Sequence, residues 1–527
     1  MGRKKELIYY KGKLKGKYLD DKSCKILDSL KELSNENGCV SDLKNVIYNL
    51  SDKEVEYIKN GGDPRMIEKD VGTLSDAQTV GVAYMFYARR LVLGDSVGLG
   101  KTVEICALMN FLKIMYGKED GVTFRYLYLT EKTLLTEARD KLIKFTGDYV
   151  GMVRGEKKYV QEFIKDNPEG LNYSVVGTHS LINSAPFQEY ISRYREEFGA
   201  NPFDALIVDE SSILGNTATQ TYENAKVLAK GIDWVIVLNA TPFGKNLRTF
   251  YAQINFVDDS LLPTKTTFQN LYEVKDYTGA YPKFSGKYKN VEIFENQVGY
   301  RYLKRTRKLL GAKFEDCSCD VKVCSVSKYQ RYLLKRTSIP QMVIDCPSYF
   351  DETLLVDEEV CPKIGALYDL FDNELLNVDR VLIYSQYKES QRVILDALES
   401  KGISCDHING DTKMKDRDSI VRRFRMGDFR VLVTNVQKGL DLECCNYCVF
   451  YSYDTNPNSM VQFEGRMTRS LDIIDKHVYI IVSRGNELKK LKNLVADRAT
   501  ASDMFASSDF SCVLSLLLDS DKLTSLK

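Results

Sequence analysis

The sequence predicts an α/β chain of two parallel-sheet lobes behind a small helical N-terminal region, and three observations carry that prediction. From Leu74 onward, short continuous apolar segments at 91–93, 126–130, 174–177, 205–208 and 234–238 alternate with helical patterns. Strands buried on both faces have this composition, because helices cover a parallel sheet on either side. A second alternation starts near Pro362, with strands expected at 381–384, 431–433 and 448–451 and helices at 390–399 and 416–424. At 527 residues the chain is also too long for a single core.

The N-terminal region comes first in order. Residues 1–17 hold seven Lys/Arg against one Glu, with Tyr9 and Tyr10 among them. Such an arm suits either a nucleic-acid backbone or plain solvent. Cys24, Leu27, Leu30 and Leu33 then recur at helical spacing, and a second helix is expected over 52–59 before the Gly61-Gly62-Asp63-Pro64 break. No chemistry attaches to this region, and a protein partner is its expected use.

Whole-chain charge names no partner, since 74 Lys/Arg meet 73 Asp/Glu. No secretory signal and no apolar run of membrane-spanning length is present, so a cytoplasmic protein without membrane contact is expected. Glu6 stands where a myristoylated terminus needs Ser or Thr. The clusters Cys317/Cys319/Cys324 and Cys444/Cys445/Cys448 lack paired zinc-ribbon spacing, and the chain has only three histidines. Ordinary thiols are expected there, packing as small hydrophobes.

The chemistry begins after the first of these strands, at Gly94-Asp95-Ser96-Val97-Gly98-Leu99-Gly100-Lys101-Thr102. Strand, glycine turn and helix form the setting of a phosphate-binding loop. Gly98 and Gly100 let backbone N–H groups approach phosphate oxygens, with Val97 and Leu99 between them. The following helix adds its positive end, Lys101 reaches the β- and γ-phosphates, and Thr102 can ligate Mg²⁺. Asp95 stands where such loops usually have Gly or Ala. ATP and Mg²⁺ are the cofactors this implies.

The 205–208 strand delivers Asp209 and Glu210 at its tip. In an ATPase the first carboxylate holds Mg²⁺ and the second orients or deprotonates the attacking water. The second lobe has no phosphate loop of its own. It carries Gln462-Phe463-Glu464-Gly465-Arg466-Met467-Thr468-Arg469, which reads as helical and sets Arg466 and Arg469 three residues apart on one face. Two arginines from one lobe and a phosphate loop from the other would make a composite site, the guanidinium groups meeting the charge that develops on the γ-phosphate.

Taken together, these stretches resemble a superfamily-two helicase/translocase, closest to the Swi/Snf-type ATPase branch, over roughly residues 72–500. Asp95 to Thr102 resembles that branch's D-E-x-G-x-G-K-T. The resemblance implies that Gln78 reads adenine, that Asp95 and residues 97–102 bind the nucleotide, and that Gly439, Asp441 and Gln462 join Arg466 and Arg469 around it. It implies two RecA-like lobes, with helical insertions between them.

Further motifs follow in family order: 128–135 with Lys132, 176–181 with Thr178 and His179, and Asn239-Ala240-Thr241-Pro242 with Asn246. Residues 302–308 are similar to the branch's L-R-R-T-K element. The series continues with 381–386 and Ser385, 408–412 and Gly410, and Thr434 with 439–442, and ends with 462–469. By resemblance Lys132, Thr178, His179, Thr241, Ser385, Gly410, Thr434 and Lys438 face nucleic acid. Three departures stand out. Ser212 replaces a His or Asp, Val436-Gln437-Lys438 replaces a glycine-containing stretch, and Ser470-Leu471-Asp472 follows the last motif.

The expected domains are 1–70 (basic arm and helical region), 71–262 (first lobe), 263–361 (helical, basic insertion), 362–500 (second lobe) and 501–527 (tail). Within the insertion, residues 300–336 hold eleven Lys/Arg against three acids, interleaved with Tyr300, Tyr302, Tyr329 and Tyr332. That composition suits a backbone-tracking surface as well as a charged helical face. The expected function is ATP-driven movement along double-stranded, forked or single-stranded DNA in replication, recombination or repair. The alternatives are a motor that strips proteins or stalled polymerase from DNA, and an RNA helicase. Compactness and a Lys-, Asn- and Tyr-rich composition point to a bacterial or bacteriophage source.

Overall fold

The computed structural model describes residues 19, 21–33, 47–67, 71–116, 124–168, 170–240, 242, 247–277, 283–306, 317–351, 358–436, 440, 442, 444–453, 460, 463 and 476–492. The chain divides into two compact units, residues 1–310 and 311–527, each built on its own parallel sheet.

The first sheet has seven strands: β1 Arg90–Leu93, β2 Tyr126–Thr130, β3 Val150–Val153, β4 Ser174–Thr178, β5 Ala205–Val208, β6 Trp234–Leu238 and β7 Tyr302–Leu303. Their order is β7-β1-β6-β5-β2-β4-β3, and every pairing is parallel. The five expected strands are all present, with β1 and β4 each one residue longer than expected. The edge strands β3 and β7 are additions to the expected set. After β1 the chain passes over β6 and β5 to reach β2, so a crevice opens at the carboxyl ends beside β1, where ligands of such sheets gather.

The N-terminal region shares this core. Leu27 and Leu30 of the helix Asp21–Leu33, and Val55 and Ile58 of the helix Asp52–Lys59, belong to the same buried cluster as Leu91 and Leu93. Gly299 packs closely against the first of these helices: a Cβ there would lie 2.5 Å from Ile26.

The second sheet holds β8 Cys317–Cys324, β9 Val381–Tyr384, β10 Cys405–Ile408, β11 Val431–Thr434, β12 Tyr447–Phe450 and β13 Lys476–Ser483. Its order is β8-β13-β12-β9-β11-β10, again parallel throughout. Cys319, Cys324, Cys445 and Cys448 are buried in its two apolar clusters. Burial pushes the Cys445 thiol up to about 12.

The 263–361 segment differs from the helical insertion expected. It contains the paired strands Glu273–Asp276 and Lys283–Tyr288, gives β7 to the first sheet and β8 to the second, and straddles the division between the units. Of the basic, aromatic stretch 300–336, Lys328, Arg331, Tyr332, Lys335 and Arg336 are exposed, whereas Tyr302 and Arg305 are core residues. Their place beside β1 requires this, because β7 continues the sheet at its edge. Among the described residues no helix is long and apolar enough to cross a membrane.

Candidate functional site

The site is built at the carboxyl ends of β1 and β5. Helix α1, Asp76–Ala88, starts at Ser75 through a capping box. Ser75 Oγ accepts the Gln78 N–H at 3.2 Å, and Gln78 Oε1 accepts the Ser75 N–H at 3.0 Å. This fixes the Gln78 side chain and turns its amide nitrogen to the phosphate loop, where a Cβ on Gly100 would lie 2.6 Å from Gln78 Nε2. Gly98 and Gly100 both take left-handed φ angles, +82° and +84°, which side chains with a Cβ resist.

Helix α2, Lys101–Tyr116, begins directly behind this turn, and its interior residues Ile105 to Leu112 are buried. Lys101 Nζ donates to the carbonyl oxygens of Asp95 at 2.7 Å and Ser96 at 3.1 Å. Burial pulls the Lys101 ammonium below its ordinary pKa, against the opposing pull of Asp95, Glu210 and Asp209. The loop therefore holds a desolvated cation, and an anion beside it would be bound strongly.

Asp209 and Glu210 follow β5. Asp209 Oδ1 accepts the Glu210 N–H at 2.9 Å, and Glu210 sits in the left-handed region with φ 49°. Asp209 Oδ2 accepts a hydrogen bond from the Tyr128 hydroxyl at 2.8 Å. Burial, and Glu210 next to it, push the Asp209 carboxyl up to about 6. Thr102 also interacts with the Tyr128 side chain, so Thr102 and Asp209 flank the same tyrosine. Two hard oxygen donors on either side of one residue fit Mg²⁺.

Tyr128 is a member of this site that the sequence reading does not single out; it lies in the apolar run of β2 and looks like core. Gln253 is another. It is fully buried in the helix Leu247–Val257, accepts from Ser211 Oγ at 2.8 Å and Asn239 Nδ2 at 3.1 Å, and donates to the Pro242 carbonyl at 2.8 Å. It ties the segment after Asp209-Glu210 to the segment after β6. An amide in the mostly apolar second half of its helix, with Asn255 two residues on, is its only sequence signal.

Several expected contacts are placed elsewhere. The Asp95 carboxylate, expected at the nucleotide, is fully buried and bonded to Arg305, whose guanidinium supplies the charge that burial of Asp95 requires. Thr178 and Thr434 are buried, and their hydroxyls accept backbone N–H groups of Gly155 and Val436, both at 2.9 Å. Ser385 is buried and shares a 2.7 Å hydrogen bond with Ser390. These three side chains close turns at strand ends and do not present a surface for nucleic acid.

His179 Nε2 donates to the Asp209 carbonyl at 2.7 Å, which joins the end of β4 to the end of β5. Lys132 is exposed and paired with Glu156 at 2.6 Å, and Gly410 is exposed. Thr241, Lys438, Gly439, Asp441, Gln462, Arg466 and Arg469 lie outside the described residues.

Comparison with known proteins bears on this arrangement. The SNF2-related domain matches residues 77–355, and the helicase conserved C-terminal domain matches residues 362–470. An uncharacterized ATP-dependent helicase, YqhH of Bacillus subtilis, is 21% identical over 440 residues, covering 75% of this chain and 72% of its own. The human DNA repair and recombination protein RAD54B is 23% identical over 474 residues, covering 76% of this chain and 50% of its own. The chain thus spans about half the length of RAD54B. Among solved structures, the Sulfolobus solfataricus SWI2/SNF2 ATPase core in complex with dsDNA is 17% identical, covering 82% of this chain and 92% of its own with a TM-score of 0.38.

Proposed function

The chain belongs to the SNF2-related family, and from that premise we propose that it is an ATP-dependent DNA helicase or translocase, a nucleic-acid-stimulated ATPase. One observation supports this most: Lys101, Thr102, Asp209 and Glu210, from loops more than a hundred residues apart, meet at the carboxyl ends of β1 and β5.

In this reading the N–H groups of residues 97–102 and the Lys101 ammonium bind the ATP phosphates, while Gln78 meets the adenine. Thr102 and Asp209 hold Mg²⁺, which supplies neutralising charge on the phosphate oxygens when bound. Glu210 accepts a proton from a water whose oxygen bonds to the γ-phosphorus as the bond to the β–γ bridging oxygen breaks. Arg466 and Arg469 are assigned to the charge that develops on the γ-phosphoryl group, and Gln462, Gly439 and Asp441 to the nucleotide. Lys132, His179, Thr241, Gly410 and Lys438 are assigned to the nucleic-acid side by motif. Contacts to phosphates position a protein but carry little sequence information, so weak sequence preference is expected.

The decisive assay is ATP hydrolysis without nucleic acid, then with single-stranded, double-stranded and forked DNA and with RNA. Stimulation by DNA that weakens steeply with salt is the expected result. No stimulation by any nucleic acid, or a salt-independent sequence-specific footprint, would overturn the proposal.

A pH dependence follows from Asp209. Its carboxyl titrates near 6, so the ionised form that holds a metal is present above that value and lost below it. Hydrolysis is expected to fall about tenfold per pH unit as pH drops below that point. Raising the Mg²⁺ concentration would move the falling limb to lower pH, since the metal binds only the ionised form. A rate profile flat across the weakly acidic range would count against Asp209 as the metal ligand.

A further inference from the structure

The last strand of the first sheet runs on alongside the phosphate loop. Past β7, the Gly94 N–H donates to the Leu303 carbonyl at 2.7 Å and the Ser96 N–H to the Arg305 carbonyl at 3.2 Å. The Arg305 N–H answers by donating to Asp95 Oδ1 at 2.8 Å. Residues 303–305 therefore pair with residues 94–96 as a ladder that continues beyond the sheet. The other side of that stretch holds the catalytic lysine, because the Asp95 and Ser96 carbonyls are the ones that accept from Lys101 Nζ.

The Arg305 side chain is fully buried. Its Nε donates to Asp95 Oδ2 at 2.9 Å, and Nη2 bonds the same carboxylate. Nη2 also reaches both Glu104 carboxylate oxygens at 2.7 Å, and Nη1 donates to the Ala77 carbonyl at 2.6 Å. One guanidinium thus ties together the phosphate loop, the first turn of α2 and the first turn of α1. The surrounding space is cut to fit it. A Cβ on Gly81 would lie 2.6 Å from Arg305 Nη1, Arg305 Nη2 and Glu104 Oε2, and one on Gly94 would lie 2.5 Å from the Tyr302 ring.

A buried ion pair is weak grounds for stability, since apolar residues of similar volume often do as well. What a rigid fork between two carboxylates does supply is geometry. We propose that Arg305 is a positioning residue for ATP: through Asp95 and Glu104 it sets the shape of residues 94–104. The path of residues 302–306, near the end of the first unit, thereby decides how Lys101 meets the phosphates. This inference rests on the reading of the loop as an ATP site.

Two variants test it. Arg305→Lys keeps the charge and loses the fork. Gly81→Ala keeps every charge, favours its helix locally, and presses a methyl group on the guanidinium. The full chain of each is melted by circular dichroism and titrated with a fluorescent ATP analogue and Mg²⁺, and its ATPase is resolved into KM and kcat. Both are expected to weaken nucleotide binding and raise KM about tenfold, with kcat changed much less.

A purely structural ion pair would lower the melting temperature and leave nucleotide affinity and KM of the folded protein unchanged, and that result overturns the proposal. If Arg305→Lys does not fold, Gly81→Ala decides alone. A wild-type chain that binds no nucleotide overturns the ATP-site reading and this inference with it. Wild-type binding with unaltered variants overturns this inference only.

Discussion

Lys101→Ala is expected to lower ATP hydrolysis by at least about a hundredfold, with or without nucleic acid, because it removes a preorganised cation from a water-poor site. Lys101 Nζ rests on the Asp95 and Ser96 carbonyls, and burial already disfavours its charge. That charge is compensated in full when the triphosphate arrives. Alanine keeps the backbone N–H groups and the glycine conformations at 98 and 100, so weak nucleotide binding is expected to survive. Steady-state phosphate release, with melting to establish folding, is the check. Hydrolysis within about threefold of wild type in a folded variant would remove this loop from the mechanism.

Glu210→Gln is expected to separate binding from chemistry. Glu210 is assigned to the attacking water and not to ATP, so kcat falls about a hundredfold or more while nucleotide affinity stays near that of wild type. The substitution suits the local structure. Glutamine has the same shape, and the Glu210 N–H that Asp209 Oδ1 accepts belongs to the backbone and remains. The left-handed φ of 49° is already carried by a residue with a Cβ. Asp209→Asn should behave differently, losing Mg²⁺ dependence and affinity together. Equal kcat losses with a large rise in KM for Glu210→Gln would reassign it to the metal.

Much of this architecture is legible without coordinates. Strands β2, β5 and β6 are continuous apolar runs buried along their whole length, so the hydrophobic pattern and the fold agree. The strands that pattern does not identify are mostly at edges. β3 contains Gly151 and an exposed Met152, β7 is two residues long, and β10 is half-buried through Cys405, Asp406 and His407. Edge strands face solvent on one side and need fewer apolar residues. β13 is the exception, since it is buried between β8 and β12 and its run from Val478 to Val482 carries the signal openly.

The phosphate loop is readable from local sequence, because strand, glycines, lysine and helix start are neighbours in the chain and each acts on the next. The Asp209-Glu210 tip of β5 is readable for the same reason. What the remaining charges do depends on long-range packing. Asp95 and Arg305 are 210 residues apart; the loop motif puts the first at the nucleotide, and composition reads the second as part of a basic surface. Folding buries both, and a charge leaves water only with a partner. The same holds in the second unit, where the buried Lys363 donates to Asp345 at 2.7 Å and Glu487 at 2.6 Å. Pairing inside a core is a property of proximity in space, and local sequence carries no record of it.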